Sequence, residues 1–177
     1  MKKNVLYYLL CLMVVVGIIV LVVLNKEVNF KVDDISYKLD IKLSSFLDEW
    51  KIDYDASNLK KDSLLKSNSE DDLRIYLKND KYKSGASVVV ENNTNKDLDY
   101  KDTTVTEFIF ECENECPSII INKKIPWNIN KQETKEKIGK PEIEEEDYFG
   151  YRLDKESYRY NVYFNELDQL KRIVIFA

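Results

Sequence analysis

Residues 5–24, VLYYLLCLMVVVGIIVLVVL, constrain this chain more than any other stretch, because twenty residues pass without a charge or a proline. As a helix rising about 1.5 Å per residue, such a run is about 30 Å long, the thickness of a bilayer's hydrocarbon core. The stretch therefore predicts a transmembrane helix preceded by a short tail, residues 1–4. Lys2 and Lys3 stand before the run, whereas Lys26 after it is offset by Glu27. By the positive-inside rule the tail is cytoplasmic and the rest lies outside. The expectation is a single-pass cell-membrane protein with a cytoplasmic N-terminus and an extracellular C-terminal domain. A cleaved signal peptide is the rival reading. Val22, Val23 and Leu24 are bulky where cleavage wants small residues, which favours an uncleaved anchor. Cys11, inside the run, reads as an apolar packing residue.

Past Leu24, 25 basic side chains face 32 acidic ones, a formal charge of −7. Such a domain is repelled by phosphate backbones, so no nucleic-acid partner is expected. The chain has no histidine, which removes the commonest neutral-pH base, most zinc sites and any His-containing triad. No cofactor, metal site or catalytic residue is expected.

The chain then divides into a juxtamembrane approach, 25–34, and one domain, 35–177, of a size that supports a single core. Ile35, Tyr37, Leu39 and Ile41 alternate with polar residues, the period of a half-buried strand. Leu43, Phe46, Leu47 and Trp50 change to an i, i+3, i+4, i+7 stripe, which predicts a short helix capped at Ser44 or Ser45. Residues 51–70 read as irregular. Strand patterns follow at Leu73–Leu77, Ala86–Glu91 and Val105–Cys112. Pro117–Asn122 begins a second round with a short strand. Asn130–Ile138 has the capping pattern Asn130-x-x-Glu133 and the stop signals Gly139 and Pro141, which predict a helix. Three further strands are predicted at Tyr148–Leu153, Tyr158–Phe164 and Leu170–Phe176. The expected fold class is α+β, in which two similar halves, 35–116 and 117–177, each pack a short helix on a mainly antiparallel β-meander.

Ile125-Pro126-Trp127-Asn128-Ile129, then Gln132 to Pro141, then the tyrosine-rich run Tyr158 to Phe164, together resemble the SmpA/OmlA and beta-lactamase-inhibitor-protein-like modules. The resemblance covers about residues 117–176. Leu167-Asp168-Gln169 stands where those modules usually have a glycine turn. What the resemblance implies is a protein-binding or envelope-associated module without catalysis, and it hands over no active-site residue.

Cys112 and Cys116 flank Glu113-Asn114-Glu115 between two predicted strands, a spacing that a hairpin end can close into a disulfide. Two free thiols, or a metal or redox pair, are the alternatives, although a thioredoxin-like pair wants two intervening residues. Glu70-Asp71-Asp72 and Glu144-Glu145-Glu146-Asp147 read as solvated acidic loops lacking the spaced ligands of a calcium loop. Ser63-Leu64-Leu65-Lys66 matches the S-x-x-K form of penicillin-binding enzymes, but no S-D-N accompanies it and Lys83-Ser84-Gly85 only approximates K-T-G. Asn92-Asn93-Thr94 is a glycosylation sequon that matters only in a eukaryotic secretory route. Among Tyr148, Tyr151, Tyr158, Tyr160 and Tyr163, some are expected in the core and others exposed as protein or glycan contacts.

Two functional classes follow. The first is a non-catalytic envelope protein, held to the membrane by residues 5–24, whose domain binds a protein or a cell-wall polymer. The second is a carboxylate-dependent cell-wall hydrolase, which would need a concave site with acids at working distances.

Overall fold

The computed structural model describes residues 29–67, 73–82, 85–113, 115–152 and 159–176. Fifteen strands dominate it: β1 (Asn29–Val32), β2 (Ile35–Lys38), β3 (Ile41–Lys42), β4 (Lys51–Ile52), β5 (Leu64–Leu65), β6 (Leu73–Lys78), β7 (Ala86–Glu91), β8 (Leu98–Asp99), β9 (Thr104–Glu111), β10 (Ile119–Ile121), β11 (Lys123–Ile125), β12 (Ile143–Glu144), β13 (Tyr148–Arg152), β14 (Arg159–Phe164) and β15 (Leu170–Phe176). The α-helix α1 spans Lys131–Lys137, and two short 3₁₀ turns occupy Leu43–Phe46 and Tyr100–Asp102.

Nine strands form one antiparallel sheet in the order β12-β13-β14-β15-β9-β7-β6-β4, with β3 also on β9. The two meanders are therefore joined side by side through β15 and β9, with Val174 opposite Ile109. A second sheet, β11-β10-β1-β2, lies over one face of the first. Phe30 of β1 meets Phe108 and Phe110 of β9 at ring-centroid distances of 5.4 and 6.4 Å. Phe46 and Trp50 reach the same Phe108 ring at 5.1 and 6.3 Å. On the second half, α1 covers that same inner face, with Lys135 over the Phe149 ring and Lys131 over Phe164. One continuous core results, running from Phe30 and Trp50 to Phe149 and Tyr160.

This overturns the α+β expectation of two helix-on-meander halves. In the first half the stripe Leu43, Phe46 and Trp50 is buried as predicted, but its backbone is a four-residue 3₁₀ turn. Residues at i and i+3 share a side in a 3₁₀ turn as well as in an α-helix, so the stripe alone did not select the α form. Lys42 at the N-cap makes no side-chain cap bond, and the serines add little helix propensity. The supposed halves are also not separate units, since a strand from before the first half, β1, pairs with β10 of the second at Lys31↔Ile120. The stretch read as a juxtamembrane approach, 25–34, thus supplies β1, whose Phe30 and Val32 are buried. The single strand expected from Ile35 to Ile41 is broken at Asp40, where φ is 57°. That left-handed residue turns the chain from the small sheet into the large one.

In the second half α1 forms with its complete capping box. The Asn130 side chain accepts from Glu133 N–H at 2.9 Å, and the Glu133 carboxylate accepts from Asn130 N–H at 3.0 Å. Gly139 exits at φ +123°. The turn at Leu167-Asp168-Gln169 needs no glycine. Asn165 Oδ1 accepts from the backbone N–H of both Leu167 and Gln169, while Asp168 takes φ 57°.

The expected membrane span, residues 5–24, lies outside the described residues, as does Cys11. Among the described residues no helix is long and apolar enough to cross a membrane, and α1 has only seven residues. The single-pass cell-membrane reading is corrected accordingly: it finds no spanning helix here and takes no part in the functional reading below.

Candidate binding face

Alternation along the strands sends every second side chain of the large sheet away from the core. Strand pairing aligns the outward residues of the sheet's middle in three rows. The first runs Tyr148, Tyr163, Arg172, Glu111. The second runs Gly150, Asn161, Val174, Ile109, Ser87, Tyr76. The third runs Arg152, Arg159, Phe176, Glu107, Val89, Arg74. These rows hold all four arginines of the chain, in a protein of net charge −5, and Lys78 of β6 and its partner Lys51 of β4 lie exposed on the same face at the sheet's edge. The small sheet, α1 and the Leu43–Phe46 turn all pack on the opposite, inner face.

The arginines fall into two pairs. Arg74 donates from Nε to Ser87 Oγ at 2.8 Å and from Nη2 to Glu111 Oε1 at 3.3 Å, with its guanidinium 5.0 Å from the Tyr76 ring centre. Arg172 stacks on Tyr163 at 3.9 Å and brings Nη1 within 3.9 Å of the same Glu111 oxygen. Tyr163 in turn packs against Tyr148 at 5.3 Å. Glu111 is thus the shared counter-ion of two guanidiniums from opposite halves. Arg172 Nε is buried without a hydrogen-bond partner. The other pair, Arg152 and Arg159, sit directly opposite each other on β13 and β14. Arg152 Nε lies 3.5 Å from Glu142, and Arg159 has no ion-pair partner among the described residues.

At the end of this face the fold brings Cys112 and Cys116 to disulfide distance, with Cα atoms 5.6 Å apart. Cys112 is buried, and its backbone N–H donates to Lys171 C=O at 2.9 Å, which extends the β9–β15 ladder one residue past Glu111. A cavity of about 290 Å³ opens here between Glu111, Cys112, Tyr163 and Arg172.

A larger cleft of about 470 Å³ lies between the β1–β2 turn, Trp50 and Tyr82. Its central acid, Asp33, is committed to structure. Burial would raise its pKa, but hydrogen bonds from Lys81, Tyr82 and the Ser118 N–H outweigh this and hold it below the ordinary carboxylate value. Trp50 closes the cleft floor by donating its indole N–H to Tyr37 Oη at 3.2 Å.

The other sequence candidates are separated from one another. The tyrosines divide by strand parity: Tyr151 and Tyr160 point inward, stacked at 5.0 Å, while Tyr148 and Tyr163 point outward. Burial, with Glu144 nearby, pushes the Tyr151 phenol up to about 12, and burial raises Tyr160 as well. Tyr158, Glu70-Asp71-Asp72, Lys83 and Ser84 lie outside the described residues. Lys66 is exposed and bonded to Asp97 at 2.8 Å, which raises its pKa, the wrong direction for a Ser-Lys base. Asn92 is buried, and its amide donates to the carbonyls of Leu65, Lys66 and Lys96 at 3.0, 3.0 and 2.8 Å, so the sequon side chain is consumed in pinning the β7–β8 connection. Glu144 pairs with Lys135 at 2.5 Å, and among the described residues no group of three or more acids and cysteines is placed to hold a metal ion. The arginine face was missed in the sequence, although its signal was present: each arginine adjoins an inward residue of an alternating strand.

Comparison with protein-family models, with curated proteins and with solved structures finds no match for this chain.

Proposed function

We propose that this protein is a non-catalytic binding module that docks an acidic protein partner on the outer face of its nine-stranded sheet. The observation that carries this reading is the gathering of all four arginines with Tyr76, Tyr148, Tyr163, Val174 and Phe176 on one sheet face. Arginine and aromatic residues are the side chains enriched where proteins meet, since they bring large area, stacking and forked hydrogen bonds at small entropy cost. Four arginines against two glutamates make these rows electropositive on an otherwise acidic chain, so the complementary surface carries carboxylates among apolar groups. The hydrolase alternative has no comparable support, because Asp33 in the large cleft is neutralised by its own neighbours.

The test is site-specific photo-crosslinking with the full chain in cells that express it naturally. A crosslinker at Val174 should trap one discrete protein, competed by unlabelled chain, while one at Lys137 on α1 should trap none. Trapping from Lys137 but not Val174 would overturn the reading.

A further inference from the structure

The four arginines of the open face are not equivalent, and the difference singles out where a partner's acid is read. Arg74 and Arg172 are occupied within the molecule by Glu111, Ser87, Tyr76 and Tyr163. Among the described residues, Arg152 has a 3.5 Å contact with Glu142 and Arg159 has no ion-pair partner. These two arginines face each other across one antiparallel register position, where Cβ atoms sit about 5 Å apart and like charges repel. Glu142 approaches Arg152 at a long 3.5 Å from Nε with both side chains about half exposed, and Arg159 is exposed with no ion-pair partner among the described residues. Beside them in the same row lies the half-buried Phe176.

Resting on the docking reading above, we propose that Arg152 and Arg159 form a clamp for a carboxylate side chain of the partner, with Phe176 receiving an adjacent apolar group. An incoming carboxylate takes forked hydrogen bonds from both guanidiniums and relieves their mutual repulsion, so the site gains on binding what it lacks when free. A carboxylate of a protein fits better than a phosphate polymer. The clamp continues into the apolar positions Phe176 and Val174, which a phosphodiester chain does not match. Glu142 acts as the internal competitor for Arg152.

The experiment measures binding of the full chain to a fluorescent glutamate–tyrosine copolymer, with polyphosphate as the second probe. Wild type should bind the copolymer in a salt-dependent way and more tightly than polyphosphate. R152K/R159K, which keeps both charges but loses the forked geometry, should weaken binding about tenfold with an unchanged thermal midpoint. Glu142→Gln should tighten binding severalfold, a gain that misfolding does not imitate. Equal copolymer affinity in R152K/R159K, no gain in Glu142→Gln, or tighter binding of polyphosphate would each overturn the clamp. If Val174 crosslinks persist undiminished in R152Q/R159Q, the clamp falls while the docking face stands. If they vanish in wild type, the docking face itself falls.

Discussion

The two faces of the large sheet are built from the same strands, yet they follow opposite rules. Inward, Phe108, Phe110, Ile173, Ile175, Val162 and Val88 are sealed, and Phe108 alone meets the rings of Phe30, Tyr37, Phe46, Trp50 and Phe110. Outward, the same strands present long side chains that cover one another: Arg172 lies on Tyr163, and Arg74 lies by Tyr76 and Ser87. The inner face gains stability by excluding water from shape-matched apolar groups. The outer face is held by stacking and charge at the surface, where each contact contributes little. A face of the second kind can exchange its neighbours for those of a partner without unfolding the sheet.

The largest break in this contrast comes from the inner face. Phe108→Ala should cost about 3–5 kcal/mol, measured by chemical denaturation, because it opens a cavity that five rings cannot all move to fill. A smaller effect comes from the inward tyrosines. Tyr151 has its pKa raised to about 12 in the fold, so the neutral phenol is the form the fold favours. Its contribution is complete below the unfolded value of about 10 and is lost as pH climbs through the folded value, on the order of 2 kcal/mol over that window. Tyr151→Phe should therefore flatten the alkaline limb of the stability profile, and an unchanged limb would show that the ring pair is not sealed from water. The smallest effect belongs to the outer face. Tyr163→Val keeps strand propensity while removing the Arg172 stack and the Tyr148 contact, and should cost only about 0.5–1 kcal/mol. A loss as large as that of Phe108→Ala would mean that the outer face is a second core.

What the sequence discloses depends on whether a signal is local. The α1 cap and stop are written in Asn130, Glu133, Gly139 and Pro141, all within one short stretch of chain, and the helix forms as read. The meander β13–β14–β15 is equally legible from alternation. The stripe Leu43, Phe46, Trp50 disclosed burial but not backbone form, since one turn of either helix type satisfies it. Asp40 concealed the largest change of direction, because a single left-handed residue inside an alternating run leaves the alternation intact. The arginine-bearing outer face was half visible. Strand parity places Arg152, Arg159 and Arg172 on the polar side, but only the pairing of β15 with β9 brings Arg74 and Glu111 to join them. Long-range register of that kind is set by the whole sheet rather than by any segment.

The pairing of β1 with β10 also has a bearing on how the chain is made. Lys31 lies opposite Ile120, and Phe30 needs Phe108 and Phe110 beneath it. During synthesis β1 emerges early and can pair at once with β2. Its other partner β10 and the rings of Phe108 and Phe110 follow only after about half the chain, while its apolar residues stay exposed. Contacts so distant in sequence make closure of the fold slow and late. The growing chain therefore needs protection over β1 for the time a ribosome takes to add the intervening segment, and pausing just before β10 lengthens the period in which it aggregates most readily.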